Sequence, residues 1–125
     1  MLSSLLLDWI RQHESWIVAG HACDGNAGFA MAMELRPDVI LLDLAMPNAD
    51  GFSVSRRLKQ IDPRCRIILL TCHSDPCTIQ RVNELDVDGY VNKTSSLDIL
   101  DAAIDAVIKG GKYYDATFVR SAGSL

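Results

Sequence analysis

The sequence has no long apolar run. No segment approaches the roughly 20 consecutive apolar residues that a membrane-spanning helix needs, and the first residues lack the basic region and the cleavage site of a signal peptide. We therefore expect a cytoplasmic protein without a membrane partner. Hydrophobic residues make up 49% of the 125 residues and charged residues 22%, and the formal net charge is -4. This composition favours one globular domain and argues against both disorder and a polyanion-binding surface.

Paired cysteine motifs are also missing. The four cysteines, Cys23, Cys65, Cys72 and Cys77, contain no Cys-x-x-Cys pair, and three of them lie in or beside apolar segments. We therefore expect reduced thiols. Cys72, His73 and Cys77 are close together in the sequence, but their spacing matches no zinc pattern, so we do not expect them to bind a metal.

Two periodicities alternate along the chain. Apolar residues at the i, i+3, i+4, i+7 spacing of an amphipathic helix alternate with short apolar runs that are typical of buried strands. The order predicts an α/β fold, in which a doubly wound, mostly parallel sheet with right-handed crossovers carries helices on both faces. The predicted helices cover approximately residues 2–13, 24–35, 54–62, 75–85 and 96–109. The predicted strands are residues 16–22, 39–44, 66–71 and 89–93.

The apolar spacing also predicts which side of three helices faces the core. In the helix over 24–35 these residues are Ala27, Ala30, Met31 and Leu35. In the next helix they are Val54, Leu58 and Ile61. In the last helix, which a pair of glycines closes, they are Leu100, Ala103, Ile104, Val107 and Ile108.

Three polar residues stand at or near the ends of predicted strands. Asp43 ends an apolar run, Thr71 ends the next strand, and Lys93 ends the last one. Open parallel sheets bind ligands beyond the carboxyl ends of their strands, so we expect a carboxylate, a hydroxyl and an ammonium group in one cleft. Taken singly, each residue also has a purely structural interpretation, as a capping acid, a β-prone residue and a solvated lysine.

Four segments together resemble the receiver domain of bacterial two-component response regulators. They are PDVILLDLAMPNADGF, RIILLT, DGYVNK and GGKYYD, and the resemblance runs from about residue 2 to residue 115. It implies a flavodoxin-like receiver fold. It also implies that Asp43 is the phosphoacceptor of a sensor histidine kinase, that Thr71 is the switch hydroxyl, and that Lys93 pairs with the phosphate. Tyr90 falls on the aromatic whose rotamer accompanies activation in that family.

The resemblance further implies a Mg²⁺ cofactor, for which Asp43 and the backbone carbonyl of Ala45 are candidate ligands. Receivers begin with a strand that ends in two acidic residues, which bind this ion, whereas the present chain begins inside the first helix. Leu5 to Asp8 is a poor substitute, because too few residues separate Asp8 from the strand at Val18 to hold a helix and its loops. We therefore expect a receiver fold that lacks its usual first strand and binds Mg²⁺ weakly. A degenerate receiver, a mis-assigned start codon and a truncated chain all remain open.

Residues 1–111 are predicted to form the receiver domain, and residues 112–125 a C-terminal tail or the start of a linker. The segments GYVNKTSS and GGKYYD most resemble those of receivers that precede a LuxR-type helix-turn-helix domain, so we expect the parent protein to regulate transcription. DNA would then be bound only through an output domain that is not in this chain. We expect a homodimer, because the missing strand leaves a gap in the sheet that the β-prone tail from Tyr113 to Val119 could fill in cis or from a second copy.

Two other functions remain possible from the sequence. One is a pseudo-receiver that serves as a dimerisation or interaction module without being phosphorylated. The other is a phosphatase or phosphotransferase with an aspartyl nucleophile, for which Ala45 stands where a second carboxylate would act as general acid. We therefore expect a protein that is not an enzyme.

Overall fold

The computed structural model describes residues 10–13, 16, 20, 25–43, 51–71, 80, 87–92 and 97–114. Residues 10–12 and 80 are helical, and most of the predicted strand 16–22 and helix 75–85 lies outside the described residues. In chain order the complete elements are α1 (Gly25–Leu35), β1 (Ile40–Asp43), α2 (Gly51–Ile61), β2 (Ile67–Thr71), β3 (Gly89–Asn92), α3 (Leu97–Ile108) and β4 (Tyr113–Tyr114).

The strands form one parallel sheet in the order β1-β2-β3-β4. Ile40 of β1 pairs with Ile67 of β2, and Ile68 of β2 pairs with Gly89 of β3. α2 connects β1 to β2, and α3 connects β3 to β4, as parallel neighbours require. The predicted α/β class and parallel sheet are therefore confirmed for the described residues, and the ends of β1, β2 and β3 lie within two residues of the predicted ones.

The sheet separates two apolar cores because successive residues of a strand point to opposite faces. Ile67 and Leu69 lie in one core, and Ile68 and Leu70 lie in the other. The α2-side core contains Ala32, Leu42, Phe52, Val54, Leu58, Ile67, Leu69, Val87 and Tyr90. The α3-side core contains Ile68, Leu70, Val91, Leu100, Ala103, Ile104 and Val107.

The predicted inner face of the last helix is confirmed at four of its five residues. Leu100, Ala103, Ile104 and Val107 are buried, whereas Ile108 is 41% exposed. Ile108 is the last residue of α3, and the chain turns away there through Gly110, which has a φ of 91°. The helical period therefore stops predicting burial where the helix stops.

The same end effect explains an error in α2, and a different effect explains one in α1. Val54 and Leu58 are buried as predicted, but Ile61, the last residue of α2, is 60% exposed. In α1 the prediction was largely wrong, because Ala27 and Ala30 are exposed and Leu35 is 43% exposed. The residues of α1 that face the core are Phe29, Ala32 and Met33. Nearly every residue of α1 is apolar or small, so several faces fit the helical period equally well.

β4 arises from the segment that we expected to be a tail or linker. Tyr113–Tyr114 pairs in parallel with Gly89 and Tyr90 of β3, within the same chain. These two residues therefore lie beside β3, and three strands, β1, β2 and β3, separate them from the expected gap next to β1. Residues 115–119 lie outside the described residues, and the boundary between 1–111 and 112–125 stays a prediction.

Candidate functional site

The carboxyl ends of three neighbouring strands form one edge of the sheet. Asp43 is the last residue of β1 and pairs with Leu70, the residue before Thr71. Thr71 ends β2 and pairs with Asn92, which ends β3. The structure thus brings Asp43 and the backbone of Thr71 to one edge, as expected. Lys93 directly follows Asn92 but lies outside the described residues, as do Ala45 and the side chain of Thr71.

Asp43 is nearly enclosed by protein. It is only 4% exposed, and it follows three apolar residues in β1. A carboxylate removed from water in this way needs partners of opposite charge or hydrogen-bond donors. The strand fixes Asp43 at the carboxyl-end edge of the sheet, and a carboxylate held in such a place can act as a nucleophile toward a phosphoryl group.

Tyr90 lies in the middle of β3, inside the α2-side core, and is completely buried. It is in register with Leu69 of β2 on one side and with Tyr114 of β4 on the other. Its predicted role as a switch residue stays a prediction. Its position places it two residues before the strand end that carries Asn92.

Asn92 is a residue of this edge that sequence reasoning missed. It is 7% exposed and is one of three buried polar or charged residues among those described. The signal in the sequence was a single amide at the end of the otherwise apolar run from Tyr90 to Val91. The family pattern gives a role to the neighbouring Lys93 and gives none to Asn92.

A second polar cluster, also missed, lies at the opposite end of the sheet. The Asp88 carboxylate accepts hydrogen bonds from the Lys59 ammonium at 2.9 Å and from the Ile67 backbone N–H at 2.9 Å. The Asp88 carbonyl accepts another from the Tyr113 N–H at 3.0 Å. We call Lys59, Ile67 and Asp88 the amino-end cluster, since Asp88 directly precedes β3 and Ile67 begins β2. No sequence pattern links residues 29 positions apart.

Cys65 lies close to the amino-end cluster. Its thiol is free and half-buried, and burial raises its pKa above the ordinary value of 9.0, while the nearby Lys59 ammonium lowers it. That the four thiols are reduced stays a prediction. Cys23, Cys72 and Cys77 lie outside the described residues, as does His73.

Among the described residues of this edge, Asp43 is the predicted Mg²⁺ ligand. Mg²⁺ takes oxygen ligands and commonly binds through one or two carboxylates, waters and substrate phosphates. Asp43 fits as one such carboxylate. In the described ranges there is no group of three or more His, Cys, Asp or Glu residues that could hold a metal.

No helix in the described ranges has the length and apolarity that crossing a bilayer requires.

Comparison with known sequences gives matches over most of the chain. The response regulator receiver domain family matches residues 2–105. The transcriptional regulatory protein AfsQ1 of Streptomyces coelicolor is 39% identical over 104 residues, which cover 83% of this chain and 45% of that protein. The response regulator VraR of Staphylococcus aureus is 36% identical over 86 residues, or 68% of this chain and 41% of VraR. The chain thus spans less than half the length of these relatives.

Comparison with solved structures gives the same fold. A LuxR-family response regulator from Aurantimonas superposes with a TM-score of 0.87 at 25% identity, covering 94% of this chain and 84% of that one. The isolated receiver domain of RcsB from Salmonella enterica, solved with a phosphomimetic beryllofluoride, superposes with a TM-score of 0.85 at 29% identity, covering 95% and 91%. The resemblance noted in the sequence and its predicted fold are confirmed: the chain belongs to the response regulator receiver domain family.

Proposed function

We propose that this receiver domain accepts a phosphoryl group on Asp43 from a sensor histidine kinase and thereby controls a transcriptional output domain. The observation that carries the proposal is the placement of Asp43, which is 4% exposed and lies at the carboxyl end of β1, level with the residue before Thr71. In this proposal the chain is the acceptor in a phosphotransfer reaction and is not an enzyme in its own right.

The chemistry follows from the residues at this edge. A carboxylate oxygen of Asp43 attacks the phosphorus atom, a new O–P bond forms, and the bond from phosphorus to the leaving imidazole of the kinase breaks. The product adds about two negative charges at a strand end. The Thr71 hydroxyl and the Lys93 ammonium are proposed to bind the new oxygens, and Tyr90 is proposed to change its packing when they do.

Mg²⁺, when bound, would neutralise charge on the phosphoryl oxygens. Asp43 and the Ala45 carbonyl are its proposed ligands. One carboxylate and one carbonyl hold this strongly hydrated ion poorly, so we infer that this chain binds Mg²⁺ weakly and that transfer is correspondingly slow.

The output and the assembly are proposed from the relatives. AfsQ1 is a transcriptional regulator, and RcsB has been solved in complex with DNA and as dimers bound to two parallel DNAs. RcsB is 29% identical in the DNA complex, where this chain covers 64% of it. We propose that the parent protein likewise dimerises and binds DNA through a domain beyond this chain, and that it acts in the cytoplasm.

Intact mass spectrometry during a titration with acetyl phosphate and Mg²⁺ tests the proposal. We expect slow, partial gain of one phosphoryl group, which Asp43→Asn abolishes. Asp88→Asn is the matched control, because it neutralises a partly buried aspartate at the other end of the sheet and should leave the transfer in place wherever the variant remains folded. Transfer that survives Asp43→Asn would contradict the assignment of Asp43 as the acceptor. No transfer at any Mg²⁺ concentration would favour the pseudo-receiver. Rapid stoichiometric transfer would instead contradict the inferred weak Mg²⁺ site.

A further inference from the structure

α2 and α3 carry charges of opposite sign on opposite sides of the sheet. α2 contains three bases and no acid: Arg56, Arg57 and Lys59. α3 contains three acids and no base: Asp98, Asp101 and Asp105. The buried residues of α2 belong to the α2-side core and those of α3 to the α3-side core. The sheet therefore separates a positively charged helix from a negatively charged one.

The outer side of α2 is a continuous exposed surface. Five exposed residues share it at the i, i+3, i+4, i+7, i+8 spacing of one helix face, and we call them the basic face: Ser53, Arg56, Arg57, Gln60 and Ile61. Ile61, at its end, is 60% exposed. Lys59 is not part of this face, because its ammonium is engaged by Asp88 at 2.9 Å.

Arg57 is held in place on the basic face. Its guanidinium carbon lies 4.0 Å from the centre of the Phe29 ring of α1. A guanidinium stacked on an aromatic ring is attracted to it and gives up less freedom when it binds a carboxylate. Arg57 is nevertheless exposed, so its N–H groups lie at the protein surface.

The outer side of α3 has the complementary chemistry. Four residues at the surface form what we call the acidic face: Leu97, Asp98, Asp101 and Asp105. Two basic side chains lie beside it. His13 Nε2 is 3.5 Å from Asp101, and Lys109 Nζ is 2.9 Å from Asp105. The side chains of Asp101 and Asp105 are 47% and 60% exposed, and ion pairs so exposed are weak, so both carboxylates can accept a further partner.

The two faces match in spacing when the helices run antiparallel. Side chains with donor groups lie one, four and eight residues before Ile61: Gln60, Arg57 and Ser53. Carboxylates lie one, four and eight residues after Leu97, which is 43% exposed: Asp98, Asp101 and Asp105. An antiparallel contact that sets Ile61 against Leu97 therefore sets a donor against each carboxylate, with Arg57 against Asp101.

We propose that the basic face of one copy of this chain binds the acidic face of a second copy. The two faces lie on opposite sides of the sheet, so they do not meet within one chain, and two copies cannot make both contacts at once. The contact is therefore heterologous, and each copy added leaves one face for the next. It is separate from the dimer proposed above and needs neither Asp43 nor a phosphoryl group.

Sedimentation velocity over a range of concentrations tests the contact with no phosphoryl donor present. At low salt we expect the mean mass to rise with concentration and to pass that of a dimer. At high salt it should fall, because salt screens ion pairs at a surface. A monomer at every concentration, or a mass that stops at that of a dimer, would overturn the proposal.

Two neutralised variants separate this contact from a symmetric dimer. Arg56→Gln/Arg57→Gln keeps only the acidic face, and Asp98→Asn/Asp101→Asn keeps only the basic face. Each alone should self-associate roughly 2- to 30-fold more weakly than the parent chain, since each exposed ion pair contributes about a 1.4- to 5-fold factor. Their mixture should form 1:1 complexes, because it restores one complete contact. A symmetric dimer gains nothing on mixing, and no gain would overturn the proposal.

Lys109→Gln is the matched control for charge. It removes one positive charge, as Arg57→Gln does, but from beside the acidic face, so it should not weaken self-association. Equal weakening by the two changes would show that association follows net charge, which overturns the proposal. Circular dichroism checks that each variant is folded. Arg56→Gln, which leaves Arg57 stacked on Phe29, replaces the double variant if that variant unfolds.

Reversal of one ion pair tests the antiparallel register. Arg57→Asp and Asp101→Arg should each weaken self-association, and the two changes combined in one chain should recover it, because the pair is restored with its charges exchanged. The phosphorylation test of Asp43 is independent of these measurements, so either proposal can fail without the other. A combined variant as weak as the sum of its single changes would overturn the pairing of Arg57 with Asp101.

Discussion

Two aspartates, Asp43, which is buried, and Asp88, which is partly buried, lie at opposite ends of the same sheet. Asp88 directly precedes β3, and its carboxylate is engaged by the Lys59 ammonium and by the Ile67 N–H, both at 2.9 Å. Asp43 ends β1 at the other edge, beside the ends of β2 and β3. Their places along the strands distinguish these two acids.

The difference follows from how a parallel sheet is built. At the amino end, Asp88 links three elements, because Lys59 comes from α2, Ile67 from β2, and Tyr113, which binds the Asp88 carbonyl, from β4. At the carboxyl end β1, β2 and β3 stop side by side, and this is the end at which open parallel sheets bind ligands. We therefore propose that Asp88, at the first end, stabilises the fold and that Asp43, at the second, is the reactive acid.

The largest expected effect comes from a change that unfolds the whole domain and so disrupts both ends of the sheet. Ile104 is buried in the α3-side core, and Ile104→Asp places an unpaired charge there, which should cost several kcal/mol and unfold the domain. Ile108→Asp is the matched control, one helical turn later and exposed, and should cost less than about 1 kcal/mol. Urea unfolding followed by circular dichroism measures both. Similar midpoints for the two variants would show that α3 does not pack as described.

The next effect separates the two aspartates. The side chains of Asp88 and Lys59 are 19% and 17% exposed, so Asp88→Asn leaves a mostly buried ammonium without its counter-charge and should cost about 3 kcal/mol. Asp43→Asn should change the free energy of unfolding by less than about 1 kcal/mol, because a neutral side chain of the same shape replaces a buried charge. Urea titrations of both variants give the comparison. An equal loss of stability would erase the proposed distinction between a structural and a reactive acid.

A double-mutant cycle sharpens this prediction. Lys59→Met removes the cation and keeps the apolar stem, so its combination with Asp88→Asn should cost less than the sum of the single changes. Additive effects would mean that the loss in Asp88→Asn comes from its hydrogen bond to Ile67 and not from the ion pair.

A smaller effect is expected at Asn92, on the reactive edge. Asn92→Leu keeps an enclosed side chain and removes the amide, which should slow phosphoryl transfer to Asp43 roughly 2- to 10-fold through the loss of one hydrogen-bonding group. The matched control is Asn92→Asp, which keeps the shape but adds a negative charge near the phosphoryl group and should slow transfer further. Intact mass spectrometry with acetyl phosphate measures the rates. Wild-type rates of transfer in both variants would show that Asn92 takes no part in phosphoryl transfer to Asp43.

The sequence predicted the reactive end better than the structural end, for a physical reason. The strands and the inner face of α3 depend on local periodicity, and the positions of Asp43 and Thr71 follow from strand ends. The ion pair between Lys59 and Asp88 depends on a contact between residues far apart in the chain, which no local pattern records. β4 was not predicted because a strand of two residues is too short to show the alternation of apolar and polar residues. Its pairing also depends on the turn that follows α3.

The smallest expected effect probes the electrostatics of the structural end. Burial raises the pKa of Cys65 above 9.0, the Lys59 ammonium lowers it, and the Asp62 and Asp88 carboxylates raise it. Lys59→Met should therefore raise this pKa and slow alkylation of Cys65 at a given pH, whereas Asp88→Asn should do the opposite. Because the folded chain disfavours the thiolate, the contribution of Cys65 to stability is fully present below 9.0 and is lost as the pH rises through the folded pKa. Iodoacetamide labelling across pH, read at the Cys65 peptide by mass spectrometry, measures the shifts, and shifts in the same direction for both variants would contradict the described placement of Lys59 and Asp88 around the thiol.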